Sequence, residues 1–401
     1  MEIMYERCCG LDIHKTAVVA CLFASGDKQI RTFGTMTEDL LALADWLAAA
    51  GCTYVAMEAI GVYWKPVWNL LVGDFALLLV NARHVKAVPG RKTDVTDAER
   101  PADVLRHGLL TGSFVPDRSQ RELRELTRYL LSLVQERAAE VNRLQKTLEG
   151  ANIKLASVAS NSLGKSGRDI LQALSEGMID PQALVQLARG RLREKLPELE
   201  RALDGRFAGH QRFLVAQQLS HIDFLEETIE RVSQEIGQRL RPVEAVVERL
   251  DRIPGVGRQV AEALLAEIGT ELERFPTAAH LASWAGMCPG NYESAGKRQR
   301  GRTRKGSPWL RRLLVQAAQA AARTKHSYLR AQYRRLAARR GPRRAAVAVD
   351  HSNLVIAYYL LRDGTAYQDL GPHYFAERDR HMVERRLVRR LEALGYKVVL
   401  D

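Results

Sequence analysis

The sequence predicts an α/β unit followed by a long, mostly helical region, and two observations carry that prediction. Short β-rich runs alternate with helical patterns up to Val80. From Ser119 onward, leucines recur at alternating spacings of three and four. Apart from the fold, a single basic stretch carries more positive charge than the whole net charge of +13. At 401 residues, with 46% hydrophobic residues, the chain has material for two or three domains with real cores.

The first unit begins with Cys8–His14 and Thr16–Ala24, close enough to pair as a hairpin, and Ser25-Gly26-Asp27-Lys28 turns the chain into a third run, Gln29–Thr35. The period then changes. Thr37-Glu38-Asp39 reads as a helix cap with acidic first-turn residues, and Leu40, Leu41, Leu43, Ala44 and Leu47 supply an apolar helical face ending at Gly51. Thr53–Glu58 reads as a buried strand, residues 62–72 as a helix carrying Pro66 near its start, and Ala76–Val80 as another strand. This order, three strands and then alternating helices and strands, is that of a ribonuclease H-like fold with an antiparallel meander followed by parallel strands.

In the helical region, Leu123, Leu126, Leu130, Leu133, Val141, Leu144 and Leu148 keep the spacing, with Arg137 in one slot. Ile222, Leu225, Ile229, Val232, Ile236 and Leu240 repeat it. Two long helices packed on each other, within or between chains, satisfy both patterns. Pro181, Pro197 and the Ser/Gly-rich Asn161–Gly167 mark residues 151–210 as a small helical insert. The predicted division is a catalytic α/β domain over 1–118, a helical coiled-coil region over 119–245, a compact helical domain over 246–345 and a helical extension over 346–401.

The formal net charge is +13, and 17 Lys or Arg with no Asp or Glu fall between Lys297 and Arg344. A polyanion is therefore the first partner to consider, and nucleic acid the first polyanion. Five cysteines, Cys8, Cys9, Cys21, Cys52 and Cys288, lack metal-ligand or CxxC spacing and read as buried reduced thiols. No signal-peptide pattern and no membrane-length apolar run is present, which places the expected protein in a prokaryotic cytoplasm, on the nucleoid when acting.

Chemistry concentrates first at Lys92-Thr93-Asp94-Val95-Thr96-Asp97-Ala98. Asp94 and Asp97 lie three apart at a predicted helix entrance, where two ionised carboxylates repel unless a cation or proton intervenes. A simpler reading makes Asp94 or Thr96 a cap and Asp97 a first-turn acid. Asp12, set between Leu11 and Ile13 in a strand, demands a partner, and Glu58 ends the first parallel strand, where a solvated acid is also ordinary. The expected fold brings all four to one sheet edge, where oxygen donors suit Mg²⁺ or Mn²⁺ and phosphodiester chemistry.

Further along, Ile253-Pro254-Gly255-Val256-Gly257 before Val260, Ala261, Leu264 and Leu265 matches the phosphate-approaching hairpin of helix-hairpin-helix modules, or a plain glycine turn. Ser294 lies in a Gly-flanked loop leading into Lys297, Arg298, Arg300, Arg302, Arg304 and Lys305, an array suited to neutralising phosphate. Taken alone, a serine there is an ordinary turn residue. Arg311 and Arg312 follow on the next helix, with Leu310, Leu313 and Leu314 behind them.

GLDIHK at 10–15, AMEAIGVYWKPVWNLL at 56–71, VPGRKTDVTDA at 88–98, IPGVG at 253–257, CPGNYESAGKRQRGRTRKGSPWLRRLLVQAA at 288–318 and LRDGTAYQDLG at 361–371 together resemble the DEDD-type insertion-sequence transposases. Relatives of that family include Piv-type DNA invertases, and its members are described as bridge-RNA-guided recombinases. The resemblance implies a RuvC-like domain with Asp12, Glu58, Asp94 and Asp97 as the acidic tetrad, a coiled-coil arm for assembly, and Ser294 as a serine nucleophile. It also implies DNA element ends and target as substrates, a guide RNA, and a homodimer or homotetramer. Ala295 stands where the family often has glycine directly after the serine. Arg100-Pro101 replaces bulky apolar residues, with Pro101 expected in a first helical turn. Two competitors remain: a metal-dependent junction-resolving nuclease using water, and a non-catalytic nucleic-acid scaffold.

Overall fold

The structure, a computed structural model, describes residues 3–24, 26–59, 61–81, 94–288, 293–294, 296–298, 303, 306–378 and 380–398; the side chains of 94–96, 293–294, 297–298 and 381–383 are outside that description. The chain divides into two compact units, Met1–Asp117 and Arg118–Asp401.

The first unit contains β1 (Cys8–Ile13), β2 (Ala17–Ala24), β3 (Asp27–Gly34), α1 (Thr37–Ala49), β4 (Tyr54–Glu58), α2 (Trp64–Leu71), β5 (Ala76–Val80) and α3 (Asp94–Arg106). Its sheet runs β3-β2-β1-β4-β5. β1, β2 and β3 form an antiparallel meander, and β4 and β5 add in parallel to the other side of β1. β1 is thus the central strand, buried at every position because helices cover both faces. Cys9, Leu11, Ile13, Val55 and Met57 face α1 and α2, whereas Cys8, Ala56, Val19 and Cys21 face Ala98, Ala102 and Leu105 of α3. One helix start differs from expectation. Thr37 is the first helical residue rather than the cap, and the N–H of Met36 before it donates to Asp39 Oδ2 at 3.3 Å.

Among the described residues the second unit is helical apart from one short strand pair. Its two long helices, α4 (Arg118–Gly150) and α9 (Gly209–Leu240), pack side by side within the one chain. Leu130, Leu133 and Leu144 of α4, with Ile222, Leu225 and Ile236 of α9, are buried as the heptad-like spacing predicts. Arg137, the charged slot, is matched by Glu226 of α9 at 2.8 Å, so the polar interruption specifies the pairing of these two helices. Between them, α5 (Leu155–Val158), α6 (Lys165–Glu176), α7 (Pro181–Val185) and α8 (Leu196–Leu203) close a small core over the helix tips, drawing in Leu144, Leu148 and Val215.

At the opposite end of the long pair lie α10 (Glu244–Asp251), α11 (Arg258–Ile268), α12 (Ala278–Trp284), β6 (Glu293–Ser294), β7 (Lys297–Arg298), α13 (Pro308–Ala321), α14 (Tyr328–Arg340), α15 (Pro342–Asp363), α16 (Tyr374–Arg378) and α17 (Arg380–Glu392). One core joins Leu123, Leu130, Ile236 and Leu240 of the long helices to Leu264, Leu281, Leu314, Val349 and Leu354. Buried Glu267, the penultimate residue of α11, locks this end of α4. Its carboxylate accepts from Arg128 at 2.7 and 3.0 Å, and Arg124 Nε donates to the Ala266 carbonyl at 2.8 Å, satisfying the end of α11. The Val398–Leu400 run expected at the C-terminus is largely outside the described residues.

Candidate active site

The sheet's connectivity puts two acids side by side. β1 and β4 pair in parallel up to Leu11 with Met57, so Asp12 and Glu58 are the next residues on adjacent strands. Residues alternate between faces, and both acids share the α3 face with Cys8 and Ala56. They are also buried, Asp12 at 4% exposure and Glu58 at 9%. Burial of carboxylates at a strand edge is costly unless each has compensating groups. Asp12 Oδ2 lies 3.0 Å from His14 Nε2, a side chain half open to solvent.

Glycine brings the third element to this edge. A Cβ on Gly10 would fall 2.5 Å from both Ala98 O and Ala102 N, so α3 rests with its backbone directly on β1, and only hydrogen at position 10 permits it. The contact continues through Cys8 and Ala102, while the N–H groups of Met4 and Tyr5 hold the Arg106 carbonyl at 2.9 and 3.0 Å. Because Ala98 sits over Gly10, the residues before it in α3 lie toward the end of β1 where Asp12 stands. These are Asp94 and Asp97, one helical turn apart at the beginning of α3.

Two expectations about this helix need correction. Thr96 lies inside α3, which already begins at Asp94, so its backbone is helical and not a cap. Pro101 is in the helix interior rather than its first turn. The proline survives there because α3 is held by the sheet contact at Gly10, and the N–H it lacks is the one that would have reached the Asp97 carbonyl. Among the described residues, no three carboxylate, imidazole or thiolate groups converge as a metal-binding cluster; the Asp94 side chain is outside them.

In the second unit, Ser294 ends β6 and pairs with Lys297 of β7, so the expected loop is a tight two-stranded reversal with Gly296 at φ 72°. The described chain from Gly306 onward is firmly seated. A Cβ on Gly306 would meet the Ala285 carbonyl at 2.2 Å, Ser307 caps α13 by accepting from Leu310 N at 3.3 Å, and Arg311 Nη2 donates to Thr303 Oγ1 at 2.9 Å. Arg312 lies over the Trp309 ring, 5.3 Å from its centroid, and reaches Gln135 at 3.4 Å. Leu310, Leu313 and Leu314 are buried behind them. Arg300, Arg302, Arg304 and Lys305 fall outside the described residues, as do the side chains of Lys297 and Arg298.

The glycines of the IPGVG turn divide in role. Gly255, at φ 87°, faces α13 so closely that a Cβ would lie 2.2 Å from the Ala317 carbonyl; its missing side chain serves helix packing. Gly257 caps α11 and opens onto free space, leaving that helix N-terminus approachable. Arg258, the first residue of α11, is committed to Glu244 and Glu262.

Comparison with known proteins now bears on this arrangement. Residues 9–153, including β1 to β5 and α3, match the family profile of DEDD transposases of IS110, described as transposase, and residues 247–334 match that described as transposase, IS116/IS110/IS902 family. The chain belongs to the IS110 family of DEDD transposases. It is also 29% identical, over 321 residues covering 73% of this chain and 76% of the relative, to a protein of Streptomyces coelicolor described as the insertion element IS110 uncharacterized 43.6 kDa protein.

Sequence reasoning about this IS110-family chain overlooked the residues that position the site. His14 stands two residues after Asp12 in the same GLDIHK stretch, and the Gly10-to-Ala98/Ala102 contact was signalled only by small residues at matching helical spacing. Of the cysteines, Cys8, Cys9, Cys21 and Cys52 are buried and unbridged; burial pushes Cys8 and Cys21 up to about 11 and Cys52 to about 12, so these thiols are inert. No helix among the described residues is long and apolar enough to cross a membrane.

Proposed function

We propose that this IS110-family transposase excises and inserts its own element by metal-dependent phosphodiester exchange, with Asp12, Glu58, Asp94 and Asp97 as metal ligands on a RuvC-like, ribonuclease H-like domain. The observation that carries the reading is the pairing of Asp12 with Glu58 on one face of adjacent parallel strands, with the start of α3 seated above that face by Gly10. The donor set fits the ion: hard carboxylate oxygens suit Mg²⁺ or Mn²⁺, and two of the donors are already buried where a divalent charge offsets their desolvation. When bound, the ion supplies Lewis-acid activation of a phosphate oxygen. Asp12 and Glu58 hold donors at the strand edge, and α3 delivers Asp97 and Asp94 from above.

Ser294 is the proposed nucleophile. Its oxygen forms a bond to phosphorus, a DNA hydroxyl leaves with the serine proton, and attack by a hydroxyl of the second strand restores a phosphodiester and the free serine. Lys297, Arg298, Arg300, Arg302, Arg304 and Lys305, with Arg311 and Arg312, are proposed to neutralise DNA phosphates, and Gly255 and Gly257 to shape the α11 end that approaches them. DNA is the substrate that the family implies. A guide RNA supplies sequence recognition in this reading, and a dimer or tetramer brings several sites together for two cut strands.

The test is incubation of the protein, with co-expressed RNA, and DNA carrying the element ends in Mg²⁺. We expect a covalent protein–DNA species mapping to Ser294, absent in Ser294→Ala. Recombinant product without any adduct would eliminate the serine step, and cleavage persisting undiminished in Ser294→Ala would favour water as nucleophile.

A further inference from the structure

The chemistry above leaves two neighbouring clefts of the helical unit unused. They meet across α15 at His351 and Ser352, which line both. The first, of about 540 Å³, is bordered by Arg343 and Arg344 in the first turn of α15, by Thr303 and by Gln332 of α14. The second, of about 430 Å³, is bordered by Tyr328, Tyr359 and Tyr367 together with Val355 and Leu370. One cleft has two arginines on its border and the other three tyrosines, the exposed lining of both is mainly apolar, and each is within the size range of small-ligand sites.

The walls are built in advance. Asp369 accepts from Tyr328 N at 2.8 Å and from the Tyr367 hydroxyl at 2.9 Å, tying the 361–371 segment to the start of α14. Tyr328 is further held by stacking on Phe375, with centroids 5.2 Å apart at 20°. The LRDGTAYQDLG stretch therefore has a structural purpose: it folds the tail back to close the aromatic cleft. At the junction, Gln332 Nε2 donates to Ser352 Oγ at 2.8 Å, while its Oε1 is buried without a hydrogen-bond partner among the described residues.

We infer that this double cleft holds one unpaired nucleotide of a single-stranded nucleic acid, its base among Tyr328, Tyr359 and Tyr367 and its phosphate at Arg343 and Arg344. The tyrosines offer rings for stacking, and Ser352 and His351, which line both clefts, can meet the edge of a base. The arginines supply phosphate neutralisation within a segment of 17 Lys or Arg and no acid. A base still stacked in a duplex cannot enter a cleft of this kind; an extruded or single-stranded one can. The assignment goes beyond the transposition reading and needs neither Ser294 nor the carboxylates, so it is tested by binding without metal or cleavage.

The experiment measures fluorescence anisotropy of the full-length protein with a thymidine strand about 12 nucleotides long, the uridine ribo-strand and an abasic strand of equal length, a span typical of single-strand sites. Tyr359→Ala should weaken binding of the DNA strand, the RNA strand or both by about tenfold while leaving the abasic strand unchanged, and Tyr359→Phe should bind as the parent does. The strand that shows the loss identifies the source of the nucleotide. Arg343→Ala with Arg344→Ala should weaken all three strands and flatten the dependence of log affinity on log salt by about one unit or more. Equal losses on base-bearing and abasic strands in Tyr359→Ala, or no loss on either, would overturn the assignment; the Phe variant separates a lost ring from a damaged fold.

Discussion

In the helical unit, buried Glu267 is held by the Arg128 guanidinium through two hydrogen bonds, and in the sheet unit buried Asp12 is held by the half-exposed imidazole of His14. Both are acids removed from water, yet their partners differ in kind. A guanidinium keeps its charge at every accessible pH and locks its geometry, so the Glu267 contact fastens α4 to α11. The His14 side chain is half open to solvent, where water can take over its contacts, so it can yield its place beside Asp12 to a cation that binds carboxylate more strongly. Asp350 makes a third case. It is fully buried on α15, neither carboxyl oxygen has a hydrogen-bond partner among the described residues, and burial raises it to about 7 against the opposing pull of nearby Arg311. The same residue class thus provides a fastener, a candidate metal ligand and a proton-holding core group, according to what the fold places beside it.

Removing each acid in turn sharpens that contrast. Asp12→Asn should lower metal-dependent strand transfer by about a thousandfold, since a ligated metal contributes several kcal/mol to phosphoryl transfer. The variant's urea midpoint should stay near that of the parent, because a neutral amide relieves a buried charge; a large loss of stability with activity retained would place Asp12 with Glu267 as a fastener.

Asp350→Asn should act through pH. The folded chain holds the Asp350 proton more tightly than the unfolded chain, whose ordinary value is 3.8, so stability is greatest below about 4, declines between about 4 and 7, and stays lowered above. Asparagine removes the decline, making the variant more stable than the parent at pH 8 by as much as about 4 kcal/mol and little different at pH 4. Parallel stability–pH curves for the two proteins would show that the carboxyl is ionised in the fold.

Glu267→Gln has the smallest expected effect, about 3 kcal/mol, the lower end for breaking a buried pair because Arg128 remains partly hydrated. Loss of helical circular dichroism at lower urea should reveal it. An unchanged midpoint would mean that the Arg124 contacts to α11 suffice without the carboxylate.

Most of the fold was legible in the chain because its patterns are local. The strand and helix runs up to Val80 are each stated by residue periodicity, and the leucine spacings from Leu123 to Leu148 and from Ile222 to Leu240 mark two long helices. The errors at Thr96 and Pro101 share one cause. Local capping and proline rules weigh a helix as if it were isolated, whereas α3 is stabilised by resting on β1. The pairing of Arg137 with Glu226 was equally hidden, since it links residues far apart in sequence.

The sequence by itself determined which residues are candidates for chemistry and binding: acids at 12, 58, 94 and 97, a serine at 294, and a basic stretch for which nucleic acid is the first partner to consider. It could also order strands and helices, because each element's hydrophobic period is written in consecutive residues. Tertiary structure alone decided which acids face one another, which is a matter of strand register and of a glycine small enough to let a helix backbone rest on the sheet. It decided, too, that the 361–371 segment closes an aromatic cleft beside two arginines. Such proximities depend on packing between distant segments, and no local pattern encodes a distance.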